Sequence, residues 1–196
     1  MPTKLYHVSI PQRKGDALLI TEDEEFKKVD FAKIPQLRPA FTKDGTVTAA
    51  NASTINDGAS AIVLASGRKV KELGLQPIAK IVAFADAAHE PQWFTTAPTI
   101  AAPIALKRAD MDIGDIDYFE VRGFCRSQHG VRRSDGVDRE KMNVLGGAVA
   151  IGHSLGASGA RIITTLTNVL THKNAQTHGS HLQRWGGASA MIIERV

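Results

Sequence analysis

Asn143-Val-Leu-Gly-Gly-Ala-Val-Ala-Ile-Gly-His-Ser-Leu-Gly-Ala-Ser-Gly-Ala-Arg-Ile162 is the stretch that decides the fold. The apolar run Ala148 to Ile151 is expected as a strand that feeds a helix from about Leu155 to Leu170. In that helix Ile162, Ile163, Leu166, Val169 and Leu170 recur at three-to-four spacing. Gly146, Gly147, Gly152, Gly156 and Gly159 crowd together, but no Gly-Lys-Ser or Gly-Lys-Thr follows and the spacing is not G-x-G-x-x-G. Close packing of helix on sheet is therefore expected of these glycines, and no nucleotide. His153 stands between strand and helix, where free backbone N–H groups and the helix dipole disfavour an added positive charge. A neutral imidazole there can accept a proton or donate to an oxyanion. A histidine that only caps its own helix is the alternative left open by these residues alone.

Outward from this stretch the chain alternates strands and helices. Ala59 to Ala65 reads as a buried strand and Gly67 to Leu73 as a short helix stopped by Gly74. Ile78 to Phe84 reads as a strand, Ala97 to Lys107 as a helix, Asp117 to Val121 as a strand and Ala188 to Glu194 as a closing apolar strand. The first 45 residues are polar, with strand-like runs at Leu5 to Ile10 and Ala17 to Thr21, and Pro35, Pro39 and Gly45 mark an extended segment. No short internal repeat is expected. The alternation predicts an α/β layered fold.

Composition narrows the function. The 196 residues are 43% hydrophobic and 22% charged, as in a globular chain, and no apolar run is long enough to span a membrane. The start of the sequence carries no secretory signal pattern, so an intracellular, cytoplasmic protein is expected, with mitochondrion and peroxisome left open. The single cysteine, Cys125, excludes a disulfide framework and a four-cysteine metal site. The net charge of +4 sits in one window, since Arg122, Arg126, Arg132 and Arg133 have no acid among them. Outside it 20 bases face 20 acids, which argues against a nucleic-acid surface.

Gly152-His153-Ser154-Leu155-Gly156 also fits the G-x-S-x-G nucleophile elbow of serine hydrolases. That family orders its triad serine, carboxylate, histidine. Downstream of Ser154 the only carboxylate is Glu194, and it follows His172, His178 and His181. A hydrolase using Ser154 is thus the weakest of the readings.

Residues 143–162 resemble the C-terminal signature of the thiolases, N-x-x-G-G-A-x-A-x-G-H-P-x-G-A-S-G, with Ser154 in place of the usual proline. Gly45-Thr-Val-Thr-Ala-Ala-Asn-Ala-Ser-Thr-Ile-Asn-Asp-Gly-Ala-Ser-Ala61 resembles a second thiolase segment, and Gly186-Gly-Ala-Ser-Ala-Met-Ile-Ile-Glu194 the family's last strand. The resemblance implies a layered αβαβα fold. Residues 1–46 would be the remnant of a loop domain, 47–75 the last part of the N-terminal half, and 76–196 the C-terminal domain. It also implies an acyltransferase, an acetyl-CoA C-acetyltransferase condensing two acetyl-CoA to acetoacetyl-CoA. Coenzyme A thioesters would be substrates, with no cofactor, no metal and a thiolase homo-oligomer as the assembly. His153 falls on the histidine that activates a nucleophilic cysteine, and Gly187 is implied as a substrate-binding residue.

The chain departs from the family in three places. Family members are about twice as long, and the missing half holds the nucleophile. Where the family has N-E-A-F-A, this chain has Arg122-Gly-Phe-Cys-Arg126; where it has C-x-G-G-G, with the second catalytic cysteine, it has Leu182-Gln-Arg-Trp-Gly186. Both substitutions can be written as one-base frame slips: CGA GGC TTT TGC CGT preceded by AA reads N-E-A-F-A, and CTG CAA CGG TGG contains C-N-G-G. Windows 122–134 and 177–185 are therefore expected to be frame-shifted relative to an ancestral thiolase gene, and Cys125 is not expected to be catalytic. Two readings follow: a thiolase acyltransferase inactive as this chain alone, or a non-catalytic module that binds CoA or thiolase subunits.

Overall fold

The computed structural model describes residues 7–23, 26–122, 136–183 and 187–196, and for residues 26, 94 and 178–183 the backbone only. The chain divides into two compact units, Met1–Arg38 and Pro39–Val196. In the first unit, β1 (Val8–Ile10) and β2 (Leu18–Ile20) form an antiparallel hairpin with Ser9 opposite Leu19. Val8, Leu18 and Leu19 are exposed, because two strands alone cannot enclose a core. A short 3-10 turn, Phe31–Gln36, follows, capped by Asp30, whose side chain accepts from the Ala32 amide at 3.1 Å.

The second unit is built on a four-stranded sheet of order β3-β6-β5-β4: β3 (Ala79–Ala88), β4 (Tyr118–Arg122), β5 (Thr177–Gln183) and β6 (Gly187–Arg195). β6 lies in the middle, antiparallel to both β3 and β5, and β5 runs parallel to β4. Alternation along β6 sends side chains to two cores. Ala188, Ala190 and Ile192 pack with Ala101 and Ala105 of α2 (Pro98–Ala109), whose alanine face lets helix and sheet approach closely. Ile193 packs with Leu166 and Leu170 of α4 (Ser158–Lys173), the long helix whose periodicity the sequence displays. α4 carries the chain from β4 back to the parallel β5, the crossover that parallel neighbours require. The α/β layering expected from the sequence is thus present.

α1 (Gly67–Leu73) is capped by the Ser66 hydroxyl and ends at Gly74 in the left-handed region, as its sequence indicates. Three expectations are corrected. Ala148 to Ile151 is a single helical turn, α3 (Ala148–Ile151), and not a strand; its amides at Ala150 and Ile151 bond back to the Gly147 carbonyl. Residues 59–65 are not a buried strand: the segment pairs with nothing in a ladder, and Val63 is 94% exposed. And there is an internal repeat, because Gly58-Ala-Ser-Ala-Ile-Val-Leu64 echoes Gly187-Ala-Ser-Ala-Met-Ile-Ile193. Of the two frame-slip windows, residues 123–134, with Cys125, and 184–185, with Trp185, lie outside the described residues.

Candidate active site

The site is assembled around the turn that joins α3 to α4. Gly152 has φ +75°, and a Cβ there would stand 2.4 Å from Asn56 Oδ1. Only glycine allows this backbone conformation and this approach together. A Cβ on Gly58 would likewise meet Ser154 Oγ at 2.6 Å. These two glycines let residues 54–60 lie directly on the turn. The His153 amide donates to the Thr54 carbonyl at 2.8 Å and the Asn56 amide to the His153 carbonyl at 3.3 Å, an isolated parallel bridge between Ile55 and His153.

His153 does not cap a helix. α4 begins at Ser158, its N-cap is Ala157, and an intervening turn separates it from the imidazole. The helix-mouth origin expected for its lowered basicity is therefore replaced. Desolvation of the half-buried ring comes first in holding the His153 pKa below its usual 6.5, and the charges of Arg122 and Arg161 follow. Ser158 Oγ stands 2.8 Å from His153 Nδ1 and donates its only proton to the Ser154 carbonyl at 2.8 Å. Its remaining role toward the ring is as acceptor. Assigned from this network, the imidazole proton is placed on Nδ1, which leaves Nε2 as the basic nitrogen a general base needs.

Two guanidinium groups converge on the same turn. Arg161 donates through Nη2 to the Ile151 carbonyl at 2.8 Å and through Nη1 to the Gly152 carbonyl at 3.4 Å, closing the C-terminal end of α3. Arg122, at the end of β4, is fully buried; its Nη1 reaches the Gly152 carbonyl at 3.3 Å and its Nε reaches Glu120 Oε1 at 3.2 Å. Arg122 Nη2 is buried with no hydrogen-bond partner among the described residues. Burial pushes the Glu120 carboxyl up to about 7 in spite of Arg122 and Arg161, and burial also lowers the Arg122 pKa. Here the desolvation of both charges outweighs their attraction. Charge thus sits in the region where the family resemblance implies an asparagine and a packed neutral site.

Ser154 has the wrong surroundings for a nucleophile. It is 4% exposed, and Arg161 Nη1 donates to its Oγ at 3.3 Å. The hydroxyl beside the imidazole belongs to Ser158, which is fully buried. No described carboxylate bonds the ring. Gly187 opens β6 opposite Ala88, where a Cβ would stand 3.4 Å from the Ala87 carbonyl. No described hydrogen bond or bridge joins Gly187 to His153. Ser158, Arg161 and Glu120 were not singled out in the sequence. Ser158 carries a signal, since it stands five residues after His153 at the start of an amphipathic helix, whereas nothing local marks Glu120.

The thiolase C-terminal domain family matches residues 75–195 and the thiolase N-terminal domain family residues 4–68. An acetyl-CoA acetyltransferase of Schizosaccharomyces pombe is 47% identical over 192 residues, covering 96% of this chain and 49% of the relative. The human mitochondrial acetyl-CoA acetyltransferase is 45% identical over 191 residues, 96% of this chain and 44% of the relative. Among solved structures, the Bacillus anthracis acetyl-CoA acetyltransferase superposes with a TM-score of 0.89 at 34% identity, over 97% of this chain and 49% of the other. A thiolase from Ascaris suum in complex with coenzyme A superposes with a TM-score of 0.81 at 40% identity, over 91% and 47%. The chain spans about half the length of the curated relatives it matches.

Proposed function

The chain belongs to the thiolase family, and from that premise we propose that it carries the histidine half of an acetyl-CoA C-acetyltransferase site. The observation that carries this reading is the half-buried His153 ring held 2.8 Å from Ser158 Oγ through Nδ1, with burial lowering its pKa, which assigns Nε2 as the base. In the condensation, Nε2 takes the proton of a cysteine thiol, the thiolate displaces CoA from acetyl-CoA to give an acyl-thioester, and a second acid–base group gives its proton to the departing CoA sulfur. That group, now a base, takes the α-proton of a second acetyl-CoA, whose carbanion attacks the acyl carbonyl. Acetoacetyl-CoA leaves, and the cysteine recovers its proton from the imidazolium. Neither thiol has a counterpart at the family positions of this chain, so the chain alone is inactive toward acetoacetyl-CoA. CoA thioesters are its ligands in this reading, supported by the CoA complex of the Ascaris suum relative.

Cytoplasmic residence belongs to the same proposal. A relative named cytosolic, from Gibberella zeae, is 45% identical over 99% of this chain. Among the described residues no helix is long and apolar enough to cross a membrane.

The test has two parts. Acetoacetyl-CoA thiolysis by the chain alone is expected to be absent, and turnover through Cys125 would contradict the account. With carbon-13 in the histidine rings, addition of CoA or acetoacetyl-CoA is expected to shift the His153 resonance and to leave that of exposed His172 in place. An unmoved His153 signal at saturating thioester would overturn the reading.

A further inference from the structure

Ser154 occupies a position whose backbone suits a residue without an N–H. Its amide makes no backbone hydrogen bond among the described residues, and its φ is negative. The residue before it is extended, since His153 forms the parallel bridge to Ile55. A proline asks for the same three things: a dispensable donor, a φ of about −65° and an extended predecessor. The signature that residues 143–162 resemble has proline at this place, and this chain has serine.

The hydroxyl supplies by contact what the ring would supply by covalent geometry. Arg161 Nη1 donates to Ser154 Oγ at 3.3 Å. The same guanidinium holds the Ile151 carbonyl at 2.8 Å and the Gly152 carbonyl at 3.4 Å, so its three acceptors bracket His153 on both sides. Gly58 closes on the same side chain, where an added Cβ would stand 2.6 Å from Ser154 Oγ and 3.0 Å from Ser154 Cβ. The Ser154 carbonyl accepts from Ser158 Oγ, the atom that stands 2.8 Å from His153 Nδ1. Ser154 is thus tied through its side chain to Arg161 and through its carbonyl to the imidazole's own partner. Both ties come from one face of α4, because Ser158 and Arg161 are three residues apart on it.

We propose that Ser154 is a positioning residue for His153: its hydroxyl, tethered to Arg161, fixes the turn as a proline ring would and so holds the imidazole against Ser158. The serine of the G-x-S-x-G pattern is then a tether and not a nucleophile. Its value for acyl transfer rests on the reading of His153 as the base. The tether itself is read in the ligand-free chain, whereas failure of the base reading shows as a His153 signal that thioester does not move.

Alanine at 154 leaves Arg161 Nη1 with the Gly152 carbonyl alone. The turn loosens, the ring gains water, and the desolvation that holds its pKa down is relieved. The charges acting on the ring are Arg161 from α4 and Arg122 from β4, with Glu120 paired to Arg122; residues 54–56 and α3 bring none.

The full chain is labelled with carbon-13 in its histidine rings, and the His153 signal is followed by pH titration and by relaxation dispersion. The unsubstituted chain is expected to titrate below 6.5 without millisecond exchange. Ser154→Ala is expected to move the midpoint up toward 6.5 and to broaden the signal by exchange. Ser154→Pro, which has no hydroxyl, is expected to restore both. Arg161→Lys keeps the charge and loses the fork, and is expected to behave as Ser154→Ala does. Thr171→Ala, near the far end of α4, should change neither reading. An unchanged midpoint and line width in Ser154→Ala would overturn the proposal. So would a folded Ser154→Pro chain that behaves like Ser154→Ala, or an Arg161→Lys chain that matches the unsubstituted one.

Discussion

Gly58-Ala-Ser-Ala-Ile-Val-Leu64 and Gly187-Ala-Ser-Ala-Met-Ile-Ile193 are nearly the same heptapeptide in opposite circumstances. The second is β6, closed on both edges and buried against α2 and α4; the first joins no ladder and is exposed except at Ser60. The difference teaches that apolar β-branched sequence licenses a strand, while its neighbours decide whether one exists.

That comparison can be broken at single residues. Ile193→Ala empties a fully enclosed position and is expected to cost about 4 kcal/mol in urea unfolding. Leu64→Ala is expected to change the stability of the chain alone by no more than about 0.5 kcal/mol. Equal losses would mean that residues 58–64 are already packed.

A second effect tests the buried charge at the end of β4. Glu120 has its folded pKa raised from 4.5 to about 7, so the folded state binds a proton more tightly than the unfolded chain. Its contribution is complete below pH 4.5 and is lost as the pH climbs through 7. Stability should fall between pH 4.5 and 8 by an amount of order 3 kcal/mol. Glu120→Gln should flatten that slope, and a slope unchanged in the variant would refute the assignment.

Smaller effects sharpen the contact between the bare strand and the site. Gly152→Ala forces a Cβ into a left-handed backbone and onto Asn56, and is expected to cost about 1–3 kcal/mol. Its chemical-shift changes should spread into residues 54–56. Ser158→Ala removes the acceptor of the His153 Nδ1 proton. About 1 kcal/mol of stability should be lost, with the nitrogen-15 shifts of the ring moving toward a tautomer mixture. A ring that keeps its tautomer would show that another group sets it.

Much of the layered fold was legible in the sequence. The three-to-four spacing from Ile162 to Leu170 gave α4, and Gly74 marked the end of α1, because these signals are local. Thr177-His-Gly-Ser-His-Leu-Gln183 carried no alternating apolar pattern, so β5 was not anticipated; its place comes from pairing with β4 and β6. Ala148 to Ile151 misled, since four apolar residues fit one helical turn as well as a strand. At the site, His153 stood out through the residues around it. The direction of its pKa was correctly expected, but from the wrong source: burial of the ring leads, and the charge of Arg122, which reaches the Gly152 carbonyl from thirty residues upstream, follows. No local pattern carries that approach.

Backbone hydrogen exchange, read for 59–65 and 188–193 in the same sample, tests the central claim most directly. In the chain alone, residues 188–193 are expected to be protected and residues 59–65 to exchange close to the rate of unstructured peptide. Protection of 59–65 equal to that of 188–193 in the monomeric chain alone would contradict the account.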